Sequence, residues 1–212
     1  MRCGVFHRWL LVVCGVSSIG LLGWSARTEA QIPGNVPGTV PGIVAGTTTA
    51  IGDTGTLAPG SLDALYSEAD SISTSLVSAD VPSARVIGYK DEIVSESYLS
   101  SLNLVIAGVT IKADSAEVQA RARLDGTSGS GTSYVSNLSI NGVVVTVDGT
   151  MNQMVFIPGG QLVMNEQRVL SDGTMVVNAL HAIVSGVADA VVASAKAGAG
   201  GGNASAVRIT TF

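Results

Sequence analysis

The stretch Ala116-Glu117-Val118-Gln119-Ala120-Arg121-Ala122-Arg123-Leu124 decides the fold class of this chain. Small and aliphatic side chains occupy every second position, and charged or amide side chains occupy the positions between them. A period of two places the two sets on opposite faces of a β-strand, whereas a helix would distribute the charges around its circumference. Ala, Glu, Gln and Arg favour helices individually, but the period outweighs these propensities. The stretch therefore predicts a half-buried strand.

The same alternation returns at residues 191–197, where Ser194 and Lys196 occupy outward positions. Asn141-Gly142 separates two further runs and is a strong signal for a two-residue hairpin, because both residues accept positive φ. Only residues 62–70 show a pattern compatible with a helical turn. The remaining predicted strands cover residues 71–79, 85–89, 92–99, 103–113, 133–140, 143–147, 154–157, 161–170 and 175–184. Short strands separated by turn residues predict an all-β, antiparallel, sandwich-like domain, with an irregular β-solenoid as the alternative.

The composition supports a folded chain and argues against one class of partner. The 212 residues are 46% hydrophobic and 13% charged, with 4% aromatic residues and a net charge of −5. This hydrophobic fraction is sufficient to build a core. A nucleic-acid-binding protein would need a basic surface and stacking side chains. We therefore expect no nucleic acid among the partners.

The N-terminal 30 residues have the layout of a secretory signal peptide. Arg2 and Arg8 provide a basic start, residues 9–24 are largely apolar, and Ala30 is a small residue before a cleavage site. The apolar segment is only slightly shorter than a membrane span, so a retained N-terminal anchor is the alternative. Cleavage after Ala30 removes both cysteines and leaves 8 basic against 15 acidic side chains. We expect a protein that is secreted or on the cell surface (periplasmic in a host with two membranes), without a disulfide or a membrane span.

Two Gly-rich segments flank the predicted domain. Residues 32–47 repeat a four-residue pattern, Ile-Pro-Gly-Asn, Val-Pro-Gly-Thr, Val-Pro-Gly-Ile and Val-Ala-Gly-Thr. Pro-Gly favours type II turns, and the repeated prolines remove donors that a sheet needs. We predict a signal peptide over 1–30, a Pro/Gly-rich linker over 31–60, an all-β domain over 61–198 and a Gly-rich C-terminal tail over 199–212.

His181 is the only histidine beyond the predicted signal peptide. A nucleophile–base–acid arrangement with Ser194 and Asp189 can be drawn, because a triad needs one base oriented by one carboxylate. No Gly-x-Ser-x-Gly elbow supports it. Asn178 and His181 differ by three positions, so they are expected on opposite faces of a strand. A single imidazole without cysteines is also a weak zinc site. We interpret His181 as a residue packed within the sheet and hydrogen-bonded to a neighbour.

Acidic and amide residues provide weaker candidates. Residues 165–167, Asn-Glu-Gln, are interpreted as a turn, with a polar binding loop as the alternative. A glycoside hydrolase needs two carboxylates across a cleft. The acids considered for that role are Glu92, Glu96 and Glu117. Three further acids each precede glycine, which is ordinary turn chemistry without the alternating ligands of a calcium loop. They are Asp125, Asp148 and Asp172. The sequence therefore predicts no catalytic, cofactor-binding or metal-binding residue and no cofactor.

Three short strings of residues carry a resemblance to a known family. They are Leu162-Val163-Met164-Asn165-Glu166-Gln167, Val177-Asn178-Ala179-Leu180-His181 and Ala190-Val191-Val192-Ala193-Ser194-Ala195. With the strand pair over 109–124, they make residues 102–198 resemble the bacterial choice-of-anchor P family. The resemblance implies an exported, surface-associated β-rich domain joined to the envelope by a C-terminal sorting signal. Residues 199–212 (AGGGNASAVRITTF) contain no such signal, so release from the cell is the simpler expectation.

These observations predict an exported, non-enzymatic structural or interaction protein of the cell envelope or extracellular space. A glycan-binding module and a carbohydrate-active hydrolase are the alternatives. The expected partners are cell-envelope glycan, or a second copy of the chain joined through exposed strand edges.

Overall fold

A computed structural model describes residues 46–212, which form fourteen β-strands and no helix. The predicted signal peptide and linker residues 31–45 lie outside the described residues. The strands are β1 (Thr47–Asp53), β2 (Ala64–Glu68), β3 (Ser71–Ser73), β4 (Val77–Gly88), β5 (Glu92–Ile106), β6 (Val109–Arg123), β7 (Gly129–Ser136), β8 (Ser139–Ile140), β9 (Val143–Val144), β10 (Gln153–Ile157), β11 (Gly160–Val169), β12 (Met175–Val184), β13 (Ala188–Gly198) and β14 (Gly201–Thr211).

The strands form two antiparallel sheets. The first has six strands in the order β1-β14-β13-β12-β11-β10. The second has eight strands along the path β2-β4-β5-β6-β8-β9, with β3 beside β4 and β7 beside β6. Hydrophobic side chains from the inner faces of both sheets form one core. The all-β, antiparallel prediction is confirmed, and the architecture is that of a β-sandwich rather than the alternative solenoid.

The two sheets approach closely. Cα atoms of β13 lie within 8 Å of Cα atoms of β5 and β6, whereas stacked sheets are usually about 10 Å apart. Small buried side chains on β13 and β14 permit this approach; they are Ala193, Ala195, Ala197, Ala204 and Ala206. A Cβ atom at Gly202 would come within 2.5 Å of Ile93 Cγ2 on the opposite sheet. Only glycine fits there without a shift of the neighbours.

Two buried serines on β5 form hydrogen bonds between the sheets. Ser95 Oγ donates to the carbonyl oxygen of Lys196 at 2.6 Å, and Ser97 Oγ donates to the carbonyl oxygen of Ser205 at 3.0 Å. A hydroxyl in the core needs a partner, because an unsatisfied buried donor is costly. The two serines therefore link β5 to β13 and β14 while satisfying their own polar groups.

Most long strands reverse their inward-facing side once. On β12, the adjacent residues Ala179 and Leu180 are both completely buried, so the alternation changes phase between them. On β13 the same change falls between Val192 and Ala193. The register of the two strands is identical on both sides of this point, so they change phase together. Residues with positive φ lie at this level on alternate strands of the sheet, namely Gly52 on β1, Asn165 on β11 and Ala193 on β13. We call the level at which the alternation changes phase the phase-change line.

The eight-stranded sheet has the same feature. On β5 the inward positions pass from Leu99 to Leu102, and Ser101 between them has a φ of 51°. On β6 they pass from Ala113 to Ala116. A strict period of two, on which the strand predictions depend, therefore holds only on either side of the line.

The structure differs from the predicted boundaries at both ends of the domain. Residues 47–53, assigned to the linker, form β1, and residues 201–211, assigned to the tail, form β14. These two strands pair with each other from opposite ends of the described chain. Local composition could not show this, because the pairing partner of each strand is distant in sequence and β14 begins with glycines that resemble a tail.

Three local predictions can be compared directly with the structure. The hairpin at Asn141-Gly142 is confirmed, because these residues join β8 to β9 with φ values of 50° and 79°. The helical turn over 62–70 is wrong, since β2 occupies that segment. The single strand over 103–113 is also wrong, because a turn at Ala107-Gly108 separates β5 from β6. Gly108 has a φ of 77°, a left-handed conformation that glycine adopts readily in a turn.

Candidate functional site

A polar cluster lies on the outer face of the six-stranded sheet around His181. The ring Nδ1 of His181 is 2.9 Å from Glu166 Oε2, and Nε2 is 3.1 Å from Asp189 Oδ1. Asn178 Nδ2 donates to the same Glu166 oxygen at 2.5 Å, and Ser194 Oγ donates to Asn178 Oδ1 at 2.7 Å. We call these five residues the His181 cluster.

Strand register explains how the cluster is assembled. Glu166, Asn178 and Ser194 pair directly across β11, β12 and β13, so they form one row of side chains. Asp189 pairs with Ile183, two residues beyond His181, which places the aspartate diagonally from the imidazole. Cross-strand and diagonal neighbours are within reach of long side chains. The sheet itself therefore brings together residues that are distant in sequence.

The prediction that Asn178 and His181 face opposite sides is wrong, because both contact Glu166 Oε2. The phase-change line passes between them, so neighbours on the same face are three residues apart instead of two. The turn predicted at residues 165–167 is wrong as well, since these residues lie inside β11. Asparagine is common in turns because it tolerates positive φ. Asn165 does have a φ of 50°, but it lies within a strand.

The cluster moves the pKa values of its acid and its base apart. The hydrogen bond from His181 is the main reason that the pKa of Glu166 falls to about 2; burial opposes the shift and the Asn178 amide adds to it. Burial acts most strongly on His181 and lowers its pKa, but the hydrogen bonds to Asp189 and Glu166 outweigh burial and raise the pKa to about 9. At neutral pH, His181 is therefore a cation held between two carboxylates.

The cluster does not assemble the triad considered from the sequence. Asp189 does contact His181, but Ser194 directs its hydroxyl proton to Asn178 rather than to the imidazole. Both ring nitrogens of His181 face carboxylates. A general base needs a nitrogen lone pair directed at the proton that it removes. In this geometry the charged and polar side chains hold one another in place across three strands of the outer face.

The outer face of the eight-stranded sheet carries an open row of aromatic side chains. Tyr98 on β5 pairs with Glu117 on β6, which pairs in turn with Tyr134 on β7. Tyr66 lies on β2, opposite Arg85 in the adjacent row. Tyr66, Tyr98 and Tyr134 are 61%, 36% and 62% exposed. We call these three residues the tyrosine surface. The sequence reasoning missed it, although Tyr98 and Tyr134 stand at polar positions of alternating runs.

Polar side chains beside the tyrosine surface hold one another in place. Glu96 Oε2 accepts a hydrogen bond from Arg85 at 2.5 Å, and Glu96 Oε1 accepts one from Gln119 at 2.6 Å. Glu96 and Glu117 line a shallow groove of about 180 Å³ next to Tyr98. The structure therefore brings two of the acids considered for hydrolysis into one groove. The third acid, Glu92, is the first residue of β5, and its Oε2 lies 3.8 Å from Arg121 Nε on β6.

The three aspartates that precede glycine form turns, as predicted. Their carboxylates accept backbone hydrogen bonds from the threonine two residues later, at 3.0, 2.8 and 3.0 Å. The hydroxyl group of Thr127, followed by its backbone N–H, lowers the pKa of the first carboxyl group, and the backbone N–H groups of Thr150 and Thr174 are the main reason that the pKa values of the other two are lowered. The residues are Asp125, Asp148 and Asp172. Within residues 46–212, no three His, Cys, Asp or Glu side chains converge as a metal site would require.

Fold and surface together define the described part as a two-sheet antiparallel β-sandwich with an ordered polar cluster on one outer face and tyrosines on the other. No family model matches the chain, and comparisons with curated proteins and with solved structures yield no match either. Across residues 46–212, no helix is long and apolar enough to cross a membrane. The resemblance to the choice-of-anchor P family stays a prediction.

Proposed function

We propose that this chain is an exported, non-enzymatic interaction protein of the cell envelope or extracellular space, and that it binds glycan through the tyrosine surface. The observation that carries this proposal is the row Tyr98–Glu117–Tyr134 on an open sheet face. Export is supported by the signal-peptide pattern of residues 1–30. The resemblance to exported choice-of-anchor P proteins agrees with the same location.

The chemistry of the tyrosine surface suits a sugar chain. A tyrosine ring presents a flat apolar face for the C–H side of a sugar ring, and its hydroxyl group remains available for hydrogen bonds. Tyr98 and Tyr134 are two strands apart, which is roughly 10 Å. A chain of sugar rings can therefore lie across both tyrosines. Glu117 between them provides an acceptor for sugar hydroxyl groups.

Retention of the purified protein on cell-wall polysaccharide from the host tests this surface. We expect Tyr98→Ala/Tyr134→Ala to weaken retention by about tenfold, because each ring contributes both area and stacking. Tyr89→Ala is the matched control, since Tyr89 is also exposed but lies in the turn after β4. Equal loss in the control and in the double variant, with both folded, would refute the assignment of this surface.

Export and hydrolysis need separate measurements. Fractionation of host cells with an antibody is expected to find the chain outside the cytoplasm, and a cytoplasmic location would refute export without affecting the binding assay. Incubation of the polysaccharide with the protein is expected to release no reducing ends. Both oxygens of Glu96 already accept hydrogen bonds, which leaves this carboxylate poorly placed as a proton donor. Release that Glu117→Gln abolishes would favour the hydrolase alternative.

Self-association is a second candidate function, and β10 favours it. This strand is one edge of the six-stranded sheet, and its five residues, Gln-Met-Val-Phe-Ile, include no charge. Phe156 on β10 is 83% exposed. Natural edge strands usually carry charges or bulges that prevent pairing, so an uncharged edge is suited to pair with the same edge of a second copy. Size-exclusion chromatography that shows only monomer at high concentration would refute this candidate.

A further inference from the structure

Three cationic side chains gather on the outer face of the six-stranded sheet. Arg168 on β11 and Lys196 on β13 lie in one row, because both pair with Val176 on β12. Arg208 on β14 completes the group, and all three line a groove of about 280 Å³. We call this feature the cationic groove. It lies on the face opposite to the tyrosine surface.

The charge of the groove stands out against the rest of the chain. The chain has a net charge of −5, yet neither Asp nor Glu lines this groove. Among residues 46–212, the ion pairs of arginine and lysine side chains involve only Arg85, Arg121 and Arg123, and none of the three groove cations. Three like charges in one groove repel each other. An anion bound between them would remove this repulsion.

Carboxylates near the groove are already engaged elsewhere. Arg168 contributes to the lowered pKa of Glu166, but Glu166 accepts its hydrogen bonds from Asn178 and His181. Lys196 has a similar, small influence on the pKa of Asp172, whose main partner is the backbone of Thr174. The cationic side chains therefore keep hydrogen-bonding capacity for a ligand.

The other side chains of the groove indicate the kind of anion. Thr56, Asn203 and Ser205 add hydroxyl and amide groups to the lining, which match the hydroxyl groups of a sugar. None of the lining residues is aromatic, so bases have no stacking partner. The net negative charge of the chain disfavours a dense polyanion, because many charges of such a ligand would lie outside the groove and near acidic side chains. Isolated carboxylates fit these conditions better than a nucleic acid backbone.

We infer that the cationic groove binds the carboxylate group of an acidic sugar within a glycan chain. Arg168, Lys196 and Arg208 supply the charge, and the neutral groups of the lining supply hydrogen bonds to the sugar hydroxyls. Arginine forms paired hydrogen bonds with carboxylates, which makes it suited to this task. This site goes beyond the proposed tyrosine surface and recognises a different chemical group, so either site can be tested without the other.

Calorimetric titration of the purified protein with trigalacturonate tests the inference, with the fully methyl-esterified trisaccharide as the uncharged counterpart. We expect the acid to bind and the ester to bind at least about tenfold more weakly, since the ester has no charge for the groove. Arg168→Gln/Lys196→Gln/Arg208→Gln is expected to lose at least about tenfold in affinity for the acid. In Tyr98→Ala/Tyr134→Ala we expect the acid still to bind at least about tenfold more tightly than the ester, because this preference comes from the charges of the groove and not from the tyrosine surface.

A second triple variant controls for net charge. Lys90→Gln/Lys112→Gln/Arg121→Gln removes three cations that lie outside the groove and is expected to keep the affinity within about twofold. Equal losses in the two triple variants, or equal binding of acid and ester, would overturn the inference. Binding of a single-stranded oligonucleotide in preference to the trisaccharide would assign the groove to nucleic acid instead. If the groove variant unfolds, Lys196→Glu alone replaces it, with Lys196→Arg expected to retain binding.

Discussion

Asn178 and His181 are three residues apart on β12, and both contact the same carboxylate oxygen, Glu166 Oε2. A regular strand would direct these two side chains to opposite faces. Here the alternation changes phase between Ala179 and Leu180, and the neighbouring strand changes phase at the same level. The pairing is therefore retained while the side chains exchange faces. The His181 cluster exists because of this shared change of phase.

The cluster makes stability depend on pH in a defined direction. The pKa of His181 is raised from 6.5 to about 9. The contribution of His181 to the free energy of unfolding is therefore complete below pH 6.5 and is lost as the pH rises through 9. The pKa of Glu166 is lowered from 4.5 to about 2, so its contribution is complete above pH 4.5 and is lost as the pH falls through 2. We expect maximal stability between pH 4.5 and 6.5, because both contributions are complete there.

Urea unfolding of the wild type and of His181→Gln from pH 4.5 to pH 9 measures the effect. Between pH 6.5 and 9 we expect the free energy of unfolding of the wild type to fall by about 1–3 kcal/mol more than that of the variant. This difference is smaller than the full pKa shift of His181 implies, because Asp189 is partly exposed to solvent. Parallel pH profiles of the two proteins would show that the imidazole makes no such contribution.

The ionisation of His181 should depend on both of its carboxylate partners. We expect an NMR titration to give a pKa of about 9 for the His181 ring in the wild type. Glu166→Gln and Asp189→Asn should each lower this pKa, because each removes a negative charge and a hydrogen-bond acceptor from the protonated ring. Glu117→Gln, on the opposite sheet, is the control and should leave it unchanged. A pKa near 6.5 in the wild type would contradict the cluster.

The close approach of the sheets makes Gly202 intolerant of a side chain. A Cβ atom there would lie 2.5 Å from Ile93 Cγ2 and 2.8 Å from Ser95 Oγ. We expect Gly202→Ala to lower the free energy of unfolding by about 1–3 kcal/mol through overpacking. Gly200→Ala is the matched control, since its nearest neighbouring atom is 4.0 Å away, and should change stability by less than about 0.5 kcal/mol. Equal effects would indicate that the sheets can separate without cost.

Val81 occupies a backbone conformation that suits glycine better than a β-branched residue. Its φ is 48°, and its side chain is exposed, so substitution removes little buried area. We expect Val81→Gly to raise the free energy of unfolding by about 0.5–1 kcal/mol, because relief of the left-handed strain exceeds the entropic cost of glycine. Val169→Gly, at an exposed position in β11 with ordinary φ, should instead lower it by about 0.5–1 kcal/mol. Chemical denaturation of both variants tests the contrast.

The sequence by itself was sufficient for the strand periodicity on either side of the phase-change line and for some of the local turns. The alternation at residues 116–123 is found in β6, and the Asn141-Gly142 hairpin joins β8 to β9 as predicted. Both features arise from interactions between residues close in the chain, namely the two faces of a strand and the backbone preference of turn residues. The same reasoning correctly assigned the aspartates at 125, 148 and 172 to turns.

Only the tertiary structure decided which side chains share a face and which segments belong to the sheets. β1 and β14 pair across the whole described chain, and a glycine is needed at position 202 of β14 because the opposite sheet lies so close. The phase-change line depends on neighbouring strands that shift together, so no single strand reveals it. The His181 cluster, the tyrosine surface and the cationic groove each combine residues from three or more strands, so each depends on the pairing of strands that are distant in sequence. Long-range pairing and packing between sheets, rather than local sequence preference, determine these surfaces.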